Sequence, residues 1–304
     1  MSSILERLPG RGRIAVIRIR SMGDCILTTP ALSILKRAMP DASIAVVVED
    51  RFRALFEGNP DVSEILGPDW GAVRKWRPDL SLNLHGGGSS AGITALSGAR
   101  FRAGFEHFRY PWIYNIRIPR AQEILRVDRK VHTAEHLASA AFYLGAERVE
   151  IPRARLFAEK AGTPDRPYVV IHPMAAAADK TWPADGFVEV ARYLEQGWEL
   201  EPVFIGGPGE DFAAFRGWRT VAGAALGEIK SLIACASLFL GNDSGPAHMA
   251  AAFGIPMVVI FGSSDPVVWS PWRTPAEVIQ GPGGIHAVGV REVKDALESL
   301  RVRA

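Results

Sequence analysis

Cysteine, excess charge of either sign and long apolar runs are all in short supply in this chain of 304 residues. The 2 cysteines, Cys25 and Cys235, lie far apart in sequence. That argues against a disulfide framework and against thiolate-based metal sites, and it suits a reducing cytoplasm. Lys and Arg together number 35 against 33 for Asp and Glu, a net charge of +2. So small an excess does not mark a nucleic-acid-binding surface, although local basic clusters stay open to an anionic ligand. No stretch reaches the ~18 consecutive apolar residues that a membrane span needs. The first residues are polar and basic and lack the apolar run, roughly 7–15 residues, of a secretory signal. The expectation is a cytoplasmic protein whose membrane contact would be peripheral. Short-period repeats, low-complexity tracts and an Asp-x-Asp metal motif are likewise missing.

What is present alternates between two periodicities. Apolar runs at 14–19, 43–48, 80–84 and 101–105 read as strands, and helical spacing appears at 25–37 and 132–144. The second half repeats the scheme, with strands at 168–173, 202–207, 237–240 and 256–260 and helices at 187–194, 229–236 and 290–302. Strands separated by helices predict parallel sheets covered on both faces, with ligands at the carboxyl ends of the strands. The chain exceeds the size at which one core stops growing, so two domains of about 150 residues are expected. Pro152, Pro164 and Pro167 mark a linker over 150–167, dividing the chain into 1–160 and 161–304.

The most telling stretch is Gly241-Asn242-Asp243-Ser244-Gly245-Pro246-Ala247-His248, where a short apolar strand ends and an Ala-rich helix begins. The free N–H groups and the positive dipole end of such a helix bind anions, phosphates above all. Asp243 beside it could accept hydrogen bonds from sugar hydroxyls. A plain capped helix would carry the same pattern. A second strand–turn–helix unit lies at Ser21-Met22-Gly23-Asp24, ahead of Thr29-Pro30-Ala31-Leu32. Asp24 follows a glycine that leaves the backbone open to close approach; the alternative is an aspartate that caps its own helix. Lys180, within Asp179-Lys180-Thr181-Trp182-Pro183, falls between a strand and a helix, where it either meets phosphate charge or is solvated. His248 reads as a ligand or as a hydrogen-bonded core residue. Glu210 ends the turn Gly206-Gly207-Pro208-Gly209, and His85 precedes Gly86-Gly87-Gly88 at the end of a strand.

Together these segments, with Phe261-Gly262-Ser263-Ser264-Asp265-Pro266 and Trp269, resemble the heptosyltransferase family, glycosyltransferase family 9. The motifs come in the family's order and span nearly the whole chain. The resemblance implies the GT-B architecture: two doubly wound, Rossmann-like α/β domains facing a central cleft, the last helix crossing back onto the first. It implies an inverting transfer of heptose from ADP-heptose to the lipopolysaccharide inner core or a related acceptor. Asp24 would be the base and Lys180 would offset charge on the leaving diphosphate. Asp243, Ser244, Gly245, Ala247 and His248 would bind the donor, with Glu210 at the ribose. His85 and Arg102 would meet an anionic glycolipid acceptor at the inner membrane. No metal is required, a divalent cation at most stimulating the reaction.

Two departures from the family's pattern matter. Ala175-Ala176-Ala177-Ala178 stands where relatives often carry hydroxyl residues, and Ser89-Ser90 where they often carry a basic one. Another nucleotide sugar, another acceptor, or a non-catalytic sugar-nucleotide-binding module therefore remain as alternatives.

Overall fold

The runs of apolar residues flanked by polar turns become the centres of two parallel sheets. The computed structural model describes residues 2–159 and 164–303. It divides into two units, Met1–Phe157 and Ala158–Ala304. The boundary expected at 160/161 lies outside the described residues, as does part of the expected linker.

The first unit runs β1 (Arg13–Ile17), α1 (Met22–Ala38), β2 (Ser43–Val47), β3 (Glu64–Leu66), α2 (Trp70–Trp76), β4 (Leu80–Asn83), α3 (Gly88–Leu96), β5 (Phe101–Phe105), β6 (Ile116–Ile118), α4 (Ala121–Leu125) and α5 (Thr133–Leu144). The second runs β7 (Tyr168–His172), α6 (Ala184–Trp198), β8 (Glu201–Gly206), β9 (Arg219–Ala222), α7 (Leu226–Ala234), β10 (Leu238–Asn242), α8 (Gly245–Phe253), β11 (Met257–Phe261), α9 (Pro266–Trp269), β12 (Ala276–Gln280) and α10 (Val290–Arg303).

The strand orders are β3-β2-β1-β4-β5-β6 and β12-β11-β10-β7-β8-β9, every pair parallel. Counted from its own first strand, each sheet has the same doubly wound order. The direction of winding reverses between β1 and β4 in one unit and between β7 and β10 in the other. Loops diverge at such a reversal and open a crevice beyond the carboxyl ends of the two strands. The α/β, GT-B fold class expected from the sequence is therefore the one observed.

Three of the four strands at the reversals are among the most buried, as is β11 beside them. β4, β7 and β10 are buried at every position, as helices on both faces require. Each buried Val, Leu or Ile contributes about 1.5–3 kcal/mol relative to exposure. On the second unit, Val293, Leu297 and Leu300 of α10 join the core formed by Ile171, Phe187, Leu240 and Ile260.

Candidate active site

In the first unit the chain leaves β1 at Ile17 and enters α1 at Met22, with Ser21 at the N-cap. Asp24, at the third helical position, accepts from the Ser21 hydroxyl at 2.9 Å and faces the Ser21 amide at 3.5 Å. The capping alternative is thus realised. Asp24 also forms an ion pair with Arg18, whose guanidinium donates to the Leu84 carbonyl at the end of β4. Asp24 is consequently fixed across the reversal between β1 and β4, with 18% of its side chain exposed.

His85 sits across that same reversal. Its amide donates to Asn83 Oδ1 at 2.9 Å. Its ring hydrogen-bonds the Arg20 backbone, and Nδ1 is left without a partner. Burial, followed by the positive charge of Arg18, holds its pKa below the ordinary histidine value, so the ring is neutral at pH 7. Asn83 donates to Ser90 Oγ at 3.1 Å and to Tyr114 Oη at 3.0 Å. Ser90 is buried and tied to the Gly87 carbonyl at 2.8 Å, so it organises the His85 loop from behind.

Two further histidines complete this edge, and neither was foreseen. His136 of α5 stacks on Phe105 at 4.1 Å between ring centroids, and His107 lies 5.5 Å from His136. Burial is the main cause that pushes the His136 pKa down to about 4, and it lowers that of His107 as well. The charges of Arg18 and Asp24 both act on His136, which places it with the base candidate. Arg102 is not brought here. It lies near the start of β5, opposite Ser81, and its Nε donates to the Ile113 carbonyl at 3.1 Å.

In the second unit, Lys180 closes a 3-10 turn, Ala178–Lys180, beyond β7. This turn rests on Gly262 at the end of β11. A Cβ there would run into the Asp179 carbonyl and lie 2.9 Å from the Lys180 Cα, so only glycine admits the approach. Asn242, the buried last residue of β10, accepts from the Trp182 amide at 3.1 Å and donates to the Pro173 carbonyl at 2.8 Å. That side chain ties the Lys180 turn to the turn holding Asp243.

Asp243 donates its amide to the Ile260 carbonyl at 3.0 Å and leaves its carboxylate at the strand end. Ser244 is the N-cap of α8 but makes no side-chain cap. Its hydroxyl instead lies 3.0 Å from His172 Nδ1. The His248 amide bonds within the helix, to the Ser244 carbonyl at 3.4 Å, and Pro246 has no N–H. The first-turn amides that remain for an anion are those of Gly245 and Ala247. The His248 ring is buried, edge-on to Trp269 at 6.3 Å between centroids.

Glu210 lies beyond β8 and folds onto its own turn, accepting from the Gly207 amide at 2.7 Å. Gln280 holds the carbonyls of Gly262 and Ser264 at 3.0 and 3.1 Å, and the buried Ser264 hydroxyl has no partner. Among the described residues no group of three or more His, Cys, Asp or Glu could hold a metal ion. A hollow lined by Arg166, Pro167, Trp198 and Glu201 opens at the amino ends of β7 and β8, the opposite edge from these turns.

The sequence and the fold both match known proteins. A model of glycosyltransferase family 9 (heptosyltransferase) matches residues 70–287. Lipopolysaccharide heptosyltransferase 3 of Escherichia coli K12 is 30% identical over 291 residues, covering 84% of this chain and 83% of the relative. Among solved structures, a family 9 glycosyl transferase of Veillonella parvula superposes with a TM-score of 0.82 at 22% identity, covering 96% of this chain and 98% of the other. The Escherichia coli ADP-heptose lipopolysaccharide heptosyltransferase II does so with 0.81 at 23% identity, covering 96% and 99%.

Proposed function

Because the chain belongs to glycosyltransferase family 9, the heptosyltransferases, we propose that it transfers heptose from ADP-heptose to the inner core of lipopolysaccharide, with inversion at the anomeric carbon. That it is a glycosyltransferase follows from the family. The donor, the acceptor and the stereochemistry are the proposal. One observation carries it: Lys180 and the Asp243–Ser244 turn follow β7 and β10, the strands at the second reversal, while Asp24 and His85 follow β1 and β4, the strands at the first.

The Asp24 carboxylate takes the proton of the acceptor hydroxyl, whose oxygen forms a bond to the anomeric carbon. The bond from that carbon to the β-phosphate oxygen breaks, and its electrons leave with ADP. Lys180 and the amides of Gly245 and Ala247 offset the charge that grows on the diphosphate. Asp243 holds sugar hydroxyls, and Glu210 meets the ribose once freed from Gly207. Neutral His85 offers its unpartnered Nδ1 to the acceptor. Arg102 contributes field rather than contact. The reaction proceeds without a required metal, and a divalent cation adds at most to its rate. No helix among the described residues is long and apolar enough to cross a membrane. The enzyme acts in the cytoplasm, reaching its glycolipid acceptor by peripheral contact with the inner membrane.

Ala175-Ala176-Ala177-Ala178, with no side-chain donors ahead of Lys180, favours as second reading a different nucleotide sugar. Thermal-shift screening of nucleotide sugars, followed by turnover with purified inner-core acceptor, separates the two. Stabilisation and turnover by ADP-heptose alone support the first. Preference for another nucleotide sugar supports the second. Binding without turnover on any acceptor would leave a non-catalytic module.

A further inference from the structure

A serine at an N-cap ordinarily turns its hydroxyl onto an amide of its own first turn, because those donors have no partner within the helix. Ser244 does not. It occupies the N-cap of α8 in extended conformation, φ −158° and ψ 170°, and makes no side-chain cap. Its Oγ lies 3.0 Å from Nδ1 of His172, 72 residues away at the end of β7. His172 is itself fixed. It pairs with Gly241 in the sheet and is only 8% exposed. Its burial depresses the ring pKa to about 4, so no proton is gained on Nδ1 across the physiological range. The bond withholds the hydroxyl from the helix in either tautomer, whether Nδ1 donates or accepts.

We propose that His172 is a positioning residue that draws the Ser244 hydroxyl away from its own helix, so that the Ala247 amide, the one first-turn donor this serine could cap, stays open to a diphosphate. This rests on the donor-site reading given above. A serine free to cap α8 would have to be displaced each time the anion bound. Loss of a cap of this kind shifts an equilibrium on the order of tenfold.

The test uses the full chain and titration calorimetry with ADP and, separately, adenosine, which has no phosphate. His172→Phe keeps a ring without Nδ1, and His172→Leu serves if the larger ring is not accommodated. Either should weaken ADP about tenfold and leave adenosine unchanged. His172→Asn, which keeps a polar group near the position of Nδ1, should restore most of the ADP affinity. In a Ser244→Ala background the His172 substitution should add nothing, since no hydroxyl remains to swing onto the helix. Equal weakening of ADP in both backgrounds, or any comparable loss of adenosine binding, would reduce His172 to a packing residue and overturn the proposal. If the unaltered protein binds neither compound, the donor-site reading fails. The crystal structure of His172→Phe or His172→Leu then decides alone: Ser244 Oγ within about 3 Å of the Ala247 nitrogen supports the latch, and an unmoved Ser244 refutes it.

Discussion

Asn242 accepts the Trp182 amide at 3.1 Å across 60 residues of sequence, and so fixes the spacing of the two turns assigned to the donor. Its Nδ2 donates to the Pro173 carbonyl at 2.8 Å, so this buried position needs a donor and an acceptor on one flat group. Asn242→Leu leaves both backbone partners unpaired, at about 1–3 kcal/mol each. Urea denaturation should show a loss on the order of 3 kcal/mol, together with weaker ADP binding. A loss below about 1 kcal/mol would mean that water replaces the side chain and that the turns keep their spacing without it.

Lys180 owes its place to Gly262, and the two positions make different predictions. Lys180→Ala removes charge and leaves the turn intact. On the proposed role it should raise the ADP Kd and lower turnover together, because the ammonium would act both before and during departure of the leaving group. Gly262→Ala pushes on the Asp179 carbonyl and the Lys180 Cα, so it should weaken ADP while leaving the charge in place. The salt dependence separates them. Screening should erase the difference between Lys180→Ala and the unaltered protein, and should leave the Gly262→Ala deficit unchanged. An ADP Kd that Lys180→Ala does not alter at any salt concentration would put this lysine in solvent.

Burial explains which parts of this fold could be read from the sequence. The central strands are covered on both faces and therefore spell continuous apolar runs, as in Tyr168–His172 and Leu238–Asn242. The edge strands Glu64–Leu66, Ile116–Ile118, Arg219–Ala222 and Ala276–Gln280 are half exposed, carry polar residues and gave no such signal. In the candidate site, the helix starts at Asp24 and Ser244 were legible because each lies where an apolar run gives way to a polar turn. Arg18 was read as strand, but β1 ends at Ile17 and frees it to pair with Asp24. His107, His136 and His172 acquire their roles only through contacts between distant segments, for which a single sequence has no local pattern.

Those histidines give the protein a pH dependence of predictable sign. Burial holds His136 and His172 neutral, with pKa values of about 4 against 6.5 in the unfolded chain. Between those values the unfolded chain binds protons that the native one refuses, so stability falls as pH drops from 6.5 and levels off near 4. At pH 5 each site should have cost about 2 kcal/mol. Calorimetric unfolding from pH 7 to pH 5 should show the decline, and His136→Gln should make it shallower by one group's share. Equal slopes for the two proteins would show that His136 takes up its proton in the folded state.

The ion pair between Arg18 and Asp24 sharpens the test of the base. Asp24→Asn keeps the shape of the side chain and a weaker bond to Ser21, but it cannot deprotonate an acceptor and leaves a buried guanidinium unpaired. Unpairing a buried charge costs about 3–5 kcal/mol, reduced here because Asp24 is partly exposed. Two effects are therefore expected. Turnover should fall at least ~100-fold, the scale of general base catalysis, and the melting temperature should fall as well. Because instability alone can lower activity, turnover is compared at a temperature where circular dichroism shows the variant fully folded, and ADP affinity is measured alongside. A folded variant with unchanged ADP affinity and lost turnover assigns the proton transfer to Asp24. Near-normal turnover in the folded variant would leave Asp24 as the cap and ion-pair partner that the geometry already makes it, and the base would have to be sought among the neutral histidines beside it.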